Sequence, residues 1–444
     1  MKSRNAIVVI GSGPAGAITA ALLRRYGYDV TVVGRVRSQP CWEGMSIRAL
    51  DGLANAGLTL NLRTDLTAAR RYSWWNGSLN LVNVEYLVER RQMDLALQRA
   101  LTARGVNVVD GYVTHHSVQD GGCVVAVEGK CGRVSELFAN FLVIAHGRRG
   151  GKHIVIDQMP VSVMLGRLFS ARLGKEAFTV TESFEDGWGW ATWNGDGKLN
   201  VNITMDGDLA GSADCEYLFT TYAQRSPEIS KLITSGAVPL TQVTARGSRP
   251  NLNADLISST HIRVGDAAYT VDPLSGNGMY EAVSGGYAAV PVINTLLQKR
   301  ADSLIAMQYY QDRARAIFRQ RLDAGADIYK RESRWNSDFW RKRAINGGQA
   351  FGTTTTVDRG SFISQPVVED GFILSRDVFI SAAHPRGIRF VNGIDLAVLH
   401  KTVLANGSAD IAMLTTQLSK GVKDITAALS LLVQNGLYEN GLNS

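Results

Sequence analysis

The amino-acid sequence predicts an α/β protein in which a parallel-sheet domain is joined to an antiparallel-sheet lobe and a mainly helical C-terminal region. Three observations carry this prediction. Residues 6–10 form a continuous apolar run that ends in a glycine-rich turn and a small-residue helix. Residues 178–205 read as short strands broken by glycines, and helical spacing takes over after about residue 290. A strand buried on both faces of a parallel sheet has no polar face to show, so it reads as an unbroken apolar run.

Composition bounds the answer. A chain of 444 residues can bury a large core and hold two or three domains or lobes. Its 45% apolar and 20% charged residues are ordinary for a globular protein. The net charge of +7 is either a merely solvated surplus or one that draws in an acidic ligand, such as a dinucleotide pyrophosphate, or an acidic partner. No motif interleaves aromatics with basic residues in a nucleic-acid-binding pattern, so nucleic acid is not expected. No run approaches the ~18 apolar residues of a membrane span, and the chain enters its first strand too early for a signal peptide. Cys41, Cys123, Cys131 and Cys215 form neither a CxxC pair nor a metal-ligand rhythm with the seven histidines. The expectation is therefore a cytoplasmic protein with separate reduced thiols and no bound metal.

Taken in order, Ala6–Ile10 is the first buried strand and delivers the chain to Gly11-Ser12-Gly13-Pro14-Ala15-Gly16. This GxGxxG lies between a strand and a helix, the context in which it reads as a dinucleotide fingerprint. Its glycines serve a tight turn, close pyrophosphate approach and close helix–strand packing. The second strand, Asp29–Val33, should end on an acid for the adenosine ribose, but Gly34 and Arg35 follow instead. Arg35 either lies over the adenine or near phosphate, or is exposed and uninvolved. Residues 42–58 carry Ile47, Leu50, Leu53 and Ala54 at helical spacing, and Asn76-Gly77 is a hairpin-turn signal. A helix starts near Arg90 and runs into another strand, and residues 123–127 suggest a short antiparallel pair. Residues 142–145 form a further buried strand that ends at His146-Gly147.

In the antiparallel segment, period two places Trp188 and Trp190 on one face of a strand. They line either a core or an aromatic substrate pocket. Residues 262–282 then return to a strand, a loop and a helix: Gly265-Asp266, then Asp272-Pro273 with Gly276, Asn277 and Gly278, then small residues at helical spacing. Unpaired N–H groups at such a helix start favour an anion or a polarised ring edge. Glycine there lets the backbone approach a flat ligand. Residues 312–329 are basic on one side, residues 331–343 read as a solvated helix end with buried aromatics, and residues 347–360 as a loop. A terminal helical pair closes the chain at 409–418 and 425–438. The division that follows is 1–150 with 255–300 for the dinucleotide, 151–254 for the sheet lobe, and 301–444 for the helical region.

With GSGPAG, the Arg90 helix start and the Gly265-Asp266 segment in this order, the chain resembles flavoproteins that bind FAD in the glutathione-reductase manner. The resemblance implies Gly11, Gly13, Pro14, Ala15 and Gly16 at the pyrophosphate with Arg90 beside it. It puts Asp266, after Gly265, on the ribityl chain, and Pro273, Gly276, Asn277 and Gly278 along the isoalloxazine. Within that group the GWGW segment and DPLSGNG are similar to the tryptophan-halogenase branch. Two departures count against halogenation: the WxWxIP signature lacks its Ile-Pro, and no lysine stands between Lys2 and Lys130 to position hypohalous acid.

The whole pattern, including ERRQMD and ESRWNSDFWRKR, is most similar to flavoproteins that mature tryptophylquinone cofactors in amino-acid oxidases and amine dehydrogenases. That implies an FAD-dependent monooxygenase which adds oxygen from O2 to a tryptophan side chain of a partner protein. The chemistry belongs to the cofactor, while the protein supplies dryness, orientation and hydrogen bonds. Asp272 and His146 are candidates to deliver a proton, the alternatives being a helix-start and a turn role. No second GxGxxG appears, so electrons come from transiently docked NAD(P)H or a separate flavin reductase. A hydroxylase or halogenase of a small free aromatic would share every one of these FAD motifs.

Overall fold

The computed structural model describes residues 6–59, 66–119, 122–148, 153–154, 159–210, 214–345 and 359–438. The loop expected at 347–360 lies almost wholly outside them. The chain divides into a large unit, residues 1–293 with 310–349, and a smaller one, residues 294–309 with 350–444.

The large unit is built on the expected parallel sheet. Five strands lie in the order His261–Arg263, Phe141–Ile144, Ala6–Ile10, Asp29–Val33, Asn107–Val109. All four neighbouring pairs are parallel. The apolar run of the first strand is buried from Ile7 to Ile10, as a central position between Phe141–Ile144 and Asp29–Val33 requires. A three-stranded antiparallel sheet, 111–119, 122–129 and 134–139, packs Cys123, Val125 and Val127 against Val8, Ile10 and Ile144. The fingerprint helix Pro14–Arg25 and the helix Arg90–Thr102 complete this layer.

The second sheet is larger than expected and reaches into the N-terminal part of the chain. Its nine strands include Leu66–Trp75, Ser78–Glu89 and Trp42–Met45 as well as Ser162–Ser170, Phe178–Phe184, Gly187–Trp193 and Lys198–Asp206. The sequence had placed residues 42–89 with the dinucleotide segment. One pairing is parallel, Phe178–Phe184 on Leu66–Trp75, and it joins the two sets of strands. Asn76 and Gly77, both at positive φ, make the tight turn of the hairpin that their residue types indicated.

The centre of this sheet, the strands Phe178–Phe184, Gly187–Trp193 and Lys198–Asp206, is buried on both faces. On one face Ala191, Trp193, Val201 and Ile203 pack under the helices Cys215–Gln224 and Pro227–Thr234. Ser226 does not cap the second of these helices with its own side chain. Glu182, reaching across from the sheet, accepts from Glu228 N at 2.9 Å and Ile229 N at 3.2 Å instead, which satisfies two first-turn donors. On the other face Trp188 joins Tyr329, Phe339 and Trp340 in an aromatic core with Trp75, Trp190, Trp335 and Leu274 at its margin.

The smaller unit holds the hairpin Ser361–Glu369 and Phe372–Ile380 and the helices Leu396–Asn406, Ile411–Leu418 and Val422–Gln434. Phe379, Leu396, Leu399, Leu414, Ile425 and Leu432 form its core. The helices match the helical C-terminal reading, and the hairpin adds strands to it.

Candidate active site

The site is assembled from three stretches of chain that the sequence separates widely. A Cβ placed on Gly11, which sits at φ +111°, would lie 2.4 Å from the Ala145 carbonyl oxygen. One on Gly16 would lie 2.1 Å from the Gly11 oxygen, and one on Gly265, at φ +58°, 2.8 Å from the Ala15 Cβ. These contacts are impossible for a side chain, so Gly11, Gly16 and Gly265 hold the turn, the strand end and the late segment together. Gly13 is different, because its Cβ would meet nothing within 4 Å. The helix that follows has Pro14 at its start and no side-chain cap from Gly13, which leaves first-turn N–H groups free for an anion. Pro14, Ala15 and Gly16 are themselves buried in that first turn.

The missing ribose acid has a steric reason. A Cβ on Gly34 would lie 2.6 Å from the Ser12 hydroxyl and 2.8 Å from its nitrogen. Gln98, which the sequence did not flag, donates to Ser12 Oγ at 3.0 Å and to the Gly34 oxygen at 3.2 Å, closing this corner. Arg35 is exposed and turns away to donate to the Glu128 and Gly129 carbonyls at 3.2 and 3.0 Å, so the structure does not bring it to the glycine turn.

Arg90 opens its helix behind Glu89, whose carboxylate accepts from Arg91 N and Gln92 N at 2.9 Å each. Arg90 is buried, paired through one terminal nitrogen with Glu43, and that nitrogen lies 3.5 Å from Met279 Sδ in the helix beyond the late loop. Its Nε is buried without a partner. Arg37 and Asp94 pair beside it at 2.8 Å. Asp94 closes the ERRQMD helix start, whereas Glu43 carried no sequence signal for this role, since it is defined only by a partner distant in the chain. Asp266, 39% exposed at its side chain, pairs with Arg148 Nε at 3.3 Å, and Arg148 also donates to the Gly247 oxygen at 2.8 Å.

The loop at 272–278 is a built turn. Asp272 accepts from Leu274 N at 2.9 Å and caps the short turn Pro273–Ser275; Gly276 takes φ +63°, and Asn277 Nδ2 donates to the Ser275 oxygen at 2.8 Å. Gly278 opens the next helix with nothing within 4 Å of a Cβ. The second carboxylate oxygen of Asp272 accepts from the Tyr329 hydroxyl at 3.0 Å, and that hydroxyl accepts from Trp188 Nε1 at 3.1 Å. Burial pushes the Asp272 carboxyl above the usual carboxylate range, against the pull of the Leu274 and Tyr329 hydrogen bonds. His146 lies two residues beyond the strand Phe141–Ile144, its Nδ1 buried without a partner, and burial together with Arg263 holds its imidazole below the usual range. Trp188 is a core ring, whereas Trp190 is half-buried at the edge of the same cluster.

These features fit a dinucleotide whose phosphates meet a helix start and whose ring meets a glycine-rich loop. Gly13, Gly147 and Gly278 leave open space where a Cβ would project, and Arg90 Nε and His146 Nδ1 are donors or acceptors still to be satisfied. Among the described residues no cluster of metal-ligating side chains occurs. No described helix is long and apolar enough to cross a membrane.

Comparison with known proteins agrees with this geometry. The family model described as an FAD binding domain matches residues 4–323. A solved peptidyl tryptophan dihydroxylase, QhpG, essential for tryptophylquinone cofactor biogenesis, is 33% identical. It superposes with a TM-score of 0.82 over 97% of this chain and 99% of its own. Digeranylgeranylglycerophospholipid reductase 2 of Methanopyrus kandleri is 26% identical, with 69% of this chain and 81% of the reductase aligned. Tryptophan 2-halogenase of Chondromyces crocatus is 23% identical over 78% of this chain and 72% of the halogenase.

Proposed function

Because the chain belongs to the FAD-binding-domain family and is an FAD-dependent oxidoreductase, we propose that it is a monooxygenase that hydroxylates a tryptophan side chain of a partner protein during cysteine tryptophylquinone biogenesis. The observation that carries this reading is the full-length likeness to the peptidyl tryptophan dihydroxylase, which takes in both units where the reductase and halogenase alignments take in 69% and 78% of the chain.

In this reading FAD, when bound, supplies the electrons and the activation of molecular oxygen. The chain's own residues hold and shield it. Gly11, Gly13, Pro14, Ala15 and Gly16 present the helix start to the pyrophosphate, and Arg90, held by Glu43, offers its unpaired Nε beside it. Asp266 binds the ribityl hydroxyls, with Arg148 fixing its orientation. Residues 273–278 lie along the ring, their shape set by Asp272. Trp190, at the half-buried edge of the aromatic core, packs against the incoming indole, and that core keeps water away. Asp272, whose burial favours the protonated form, is the better-placed proton donor, while His146 is held neutral.

Electrons come from NAD(P)H or a separate flavin reductase. The four cysteines, all free, fit a cytoplasmic, reducing compartment. The surplus positive charge suits an acidic partner surface. Reoxidation of the reduced, FAD-loaded chain in air-saturated buffer tests the substrate class. The unmodified partner polypeptide should accelerate it, and free tryptophan should not. Acceleration by free tryptophan alone would instead favour the hydroxylase or halogenase reading that the Chondromyces likeness keeps in view.

A further inference from the structure

We propose that Tyr329 is a positioning residue for the loop at 272–278, tying it to the tryptophan strand Gly187–Trp193 through a buried hydrogen-bond chain. Trp188 Nε1 donates to the Tyr329 hydroxyl at 3.1 Å, and that hydroxyl donates to Asp272 Oδ2 at 3.0 Å. The direction is forced by chemistry. An indole nitrogen can only donate, so the phenol accepts from it, and the phenol's single proton is left for Asp272 Oδ2, the arrangement that satisfies all three groups. All three are buried, at 3% for Trp188, 2% for Tyr329 and 8% for Asp272. Tyr329 has no freedom to turn elsewhere: its ring meets Phe339 at 6.1 Å and Trp340 at 5.7 Å between centroids.

The loop needs this outside anchor. Its other side-chain bonds close on itself: Ser275 Oγ to the Asp272 oxygen at 2.9 Å, Asn277 Nδ2 to the Ser275 oxygen at 2.8 Å, and Asp272 Oδ1 from Leu274 N. Such bonds fix the turn's internal shape without fixing where the turn sits. The Tyr329 hydroxyl sets that location from a helix 57 residues away in sequence. Removing it orphans a carboxylate oxygen and an indole N–H together, and a buried orphan costs more than the bond it replaces.

The test is Tyr329→Phe in the full chain, read first by amide hydrogen exchange without FAD and then by the visible absorption and circular dichroism of the FAD-loaded protein. Exchange across residues 272–278 should rise roughly ten- to hundredfold, as expected for an orphaned buried acceptor. The flavin bands should shift, and kcat should fall more than the affinity for FAD. Trp188→Phe leaves the phenol on Asp272 and should move the same amides less. It serves as the test if Tyr329→Phe does not fold. The proposal is overturned if exchange at 272–278 and the flavin bands stay as in the wild type while only the melting temperature drops, or if Trp188→Phe leaves those amides unchanged. The flavin readout rests on the cofactor assignment and the exchange readout does not, so failure of one is distinguishable from failure of the other.

Discussion

Gly11 and Gly13 stand two residues apart and serve opposite needs. Gly11 is a glycine because the protein fills the space around it, and Gly13 because the protein leaves that space open. Gly11→Ala should therefore destabilise the fold itself, by on the order of 1–3 kcal/mol for the backbone strain alone. Thermal melting of the FAD-free protein would show it, and an unchanged melting temperature would contradict the packing described here. Gly13→Trp should leave the far-ultraviolet circular dichroism intact and abolish the yellow flavin absorbance of the purified chain. Retained flavin would place the cofactor elsewhere. Residues of this kind were legible, because strand–glycine–helix order is local. Glu43, Gln98, Arg148 and Tyr329 were not. Each matters through partners far along the chain, such as Arg90 47 positions from Glu43 or Asp272 57 from Tyr329, and no spacing rule reports such pairs.

At the scale of elements, the segment 331–343 exposes Arg331, Arg334, Arg341 and Lys342 and buries Phe339 and Trp340, as a solvated end with buried aromatics should, and it is a clamp as well. Glu332, fully buried at its side chain, accepts from Ser183 Oγ at 2.6 Å, Asn76 N at 2.9 Å and Arg334. It thereby pins the tip of the hairpin to the large sheet. Burial pushes the Glu332 carboxyl up, but the Arg334 and Ser183 hydrogen bonds outweigh that and hold it below the usual glutamate range. Its contribution is therefore present above the ordinary glutamate pKa, about 4.3, and is lost as the pH falls through the lower folded-state value. Glu332→Gln should lower stability at neutral pH by about 1–3 kcal/mol, and the gap to the wild type should close in strong acid. A gap that persists there would mean the charge is not what holds the tip. The Asn76-Gly77 turn of this hairpin was readable from two residues. Its place in the sheet was not, because the strand next to it, Phe178–Phe184, pairs in parallel across about a hundred residues. The Ser361–Ile380 region shows the converse: Asp370-Gly371, at φ 50° and 78°, is a hairpin signal that the surrounding helical patterns masked.

At the scale of the whole molecule, the parallel sheet, the second sheet lobe and the C-terminal helices were each visible as a change of period along the chain. Their division into two units was less so, since the helices Gly278–Gln298 and Ser303–Lys330 both cross from one unit to the other. The FAD-binding-domain match, residues 4–323, falls mostly in the large unit, and the likeness to a solved peptidyl tryptophan dihydroxylase covers 97% of the chain. The account's central claim is that the substrate is a tryptophan within another protein. The intact mass of the polypeptide encoded beside this gene, after co-expression with the wild type or with Gly13→Trp, tests that claim most directly. Oxygen-sized additions on one tryptophan, present with the wild type and absent with the variant, are the expected result. An unchanged mass in both samples, with the wild type shown to carry FAD, would contradict it.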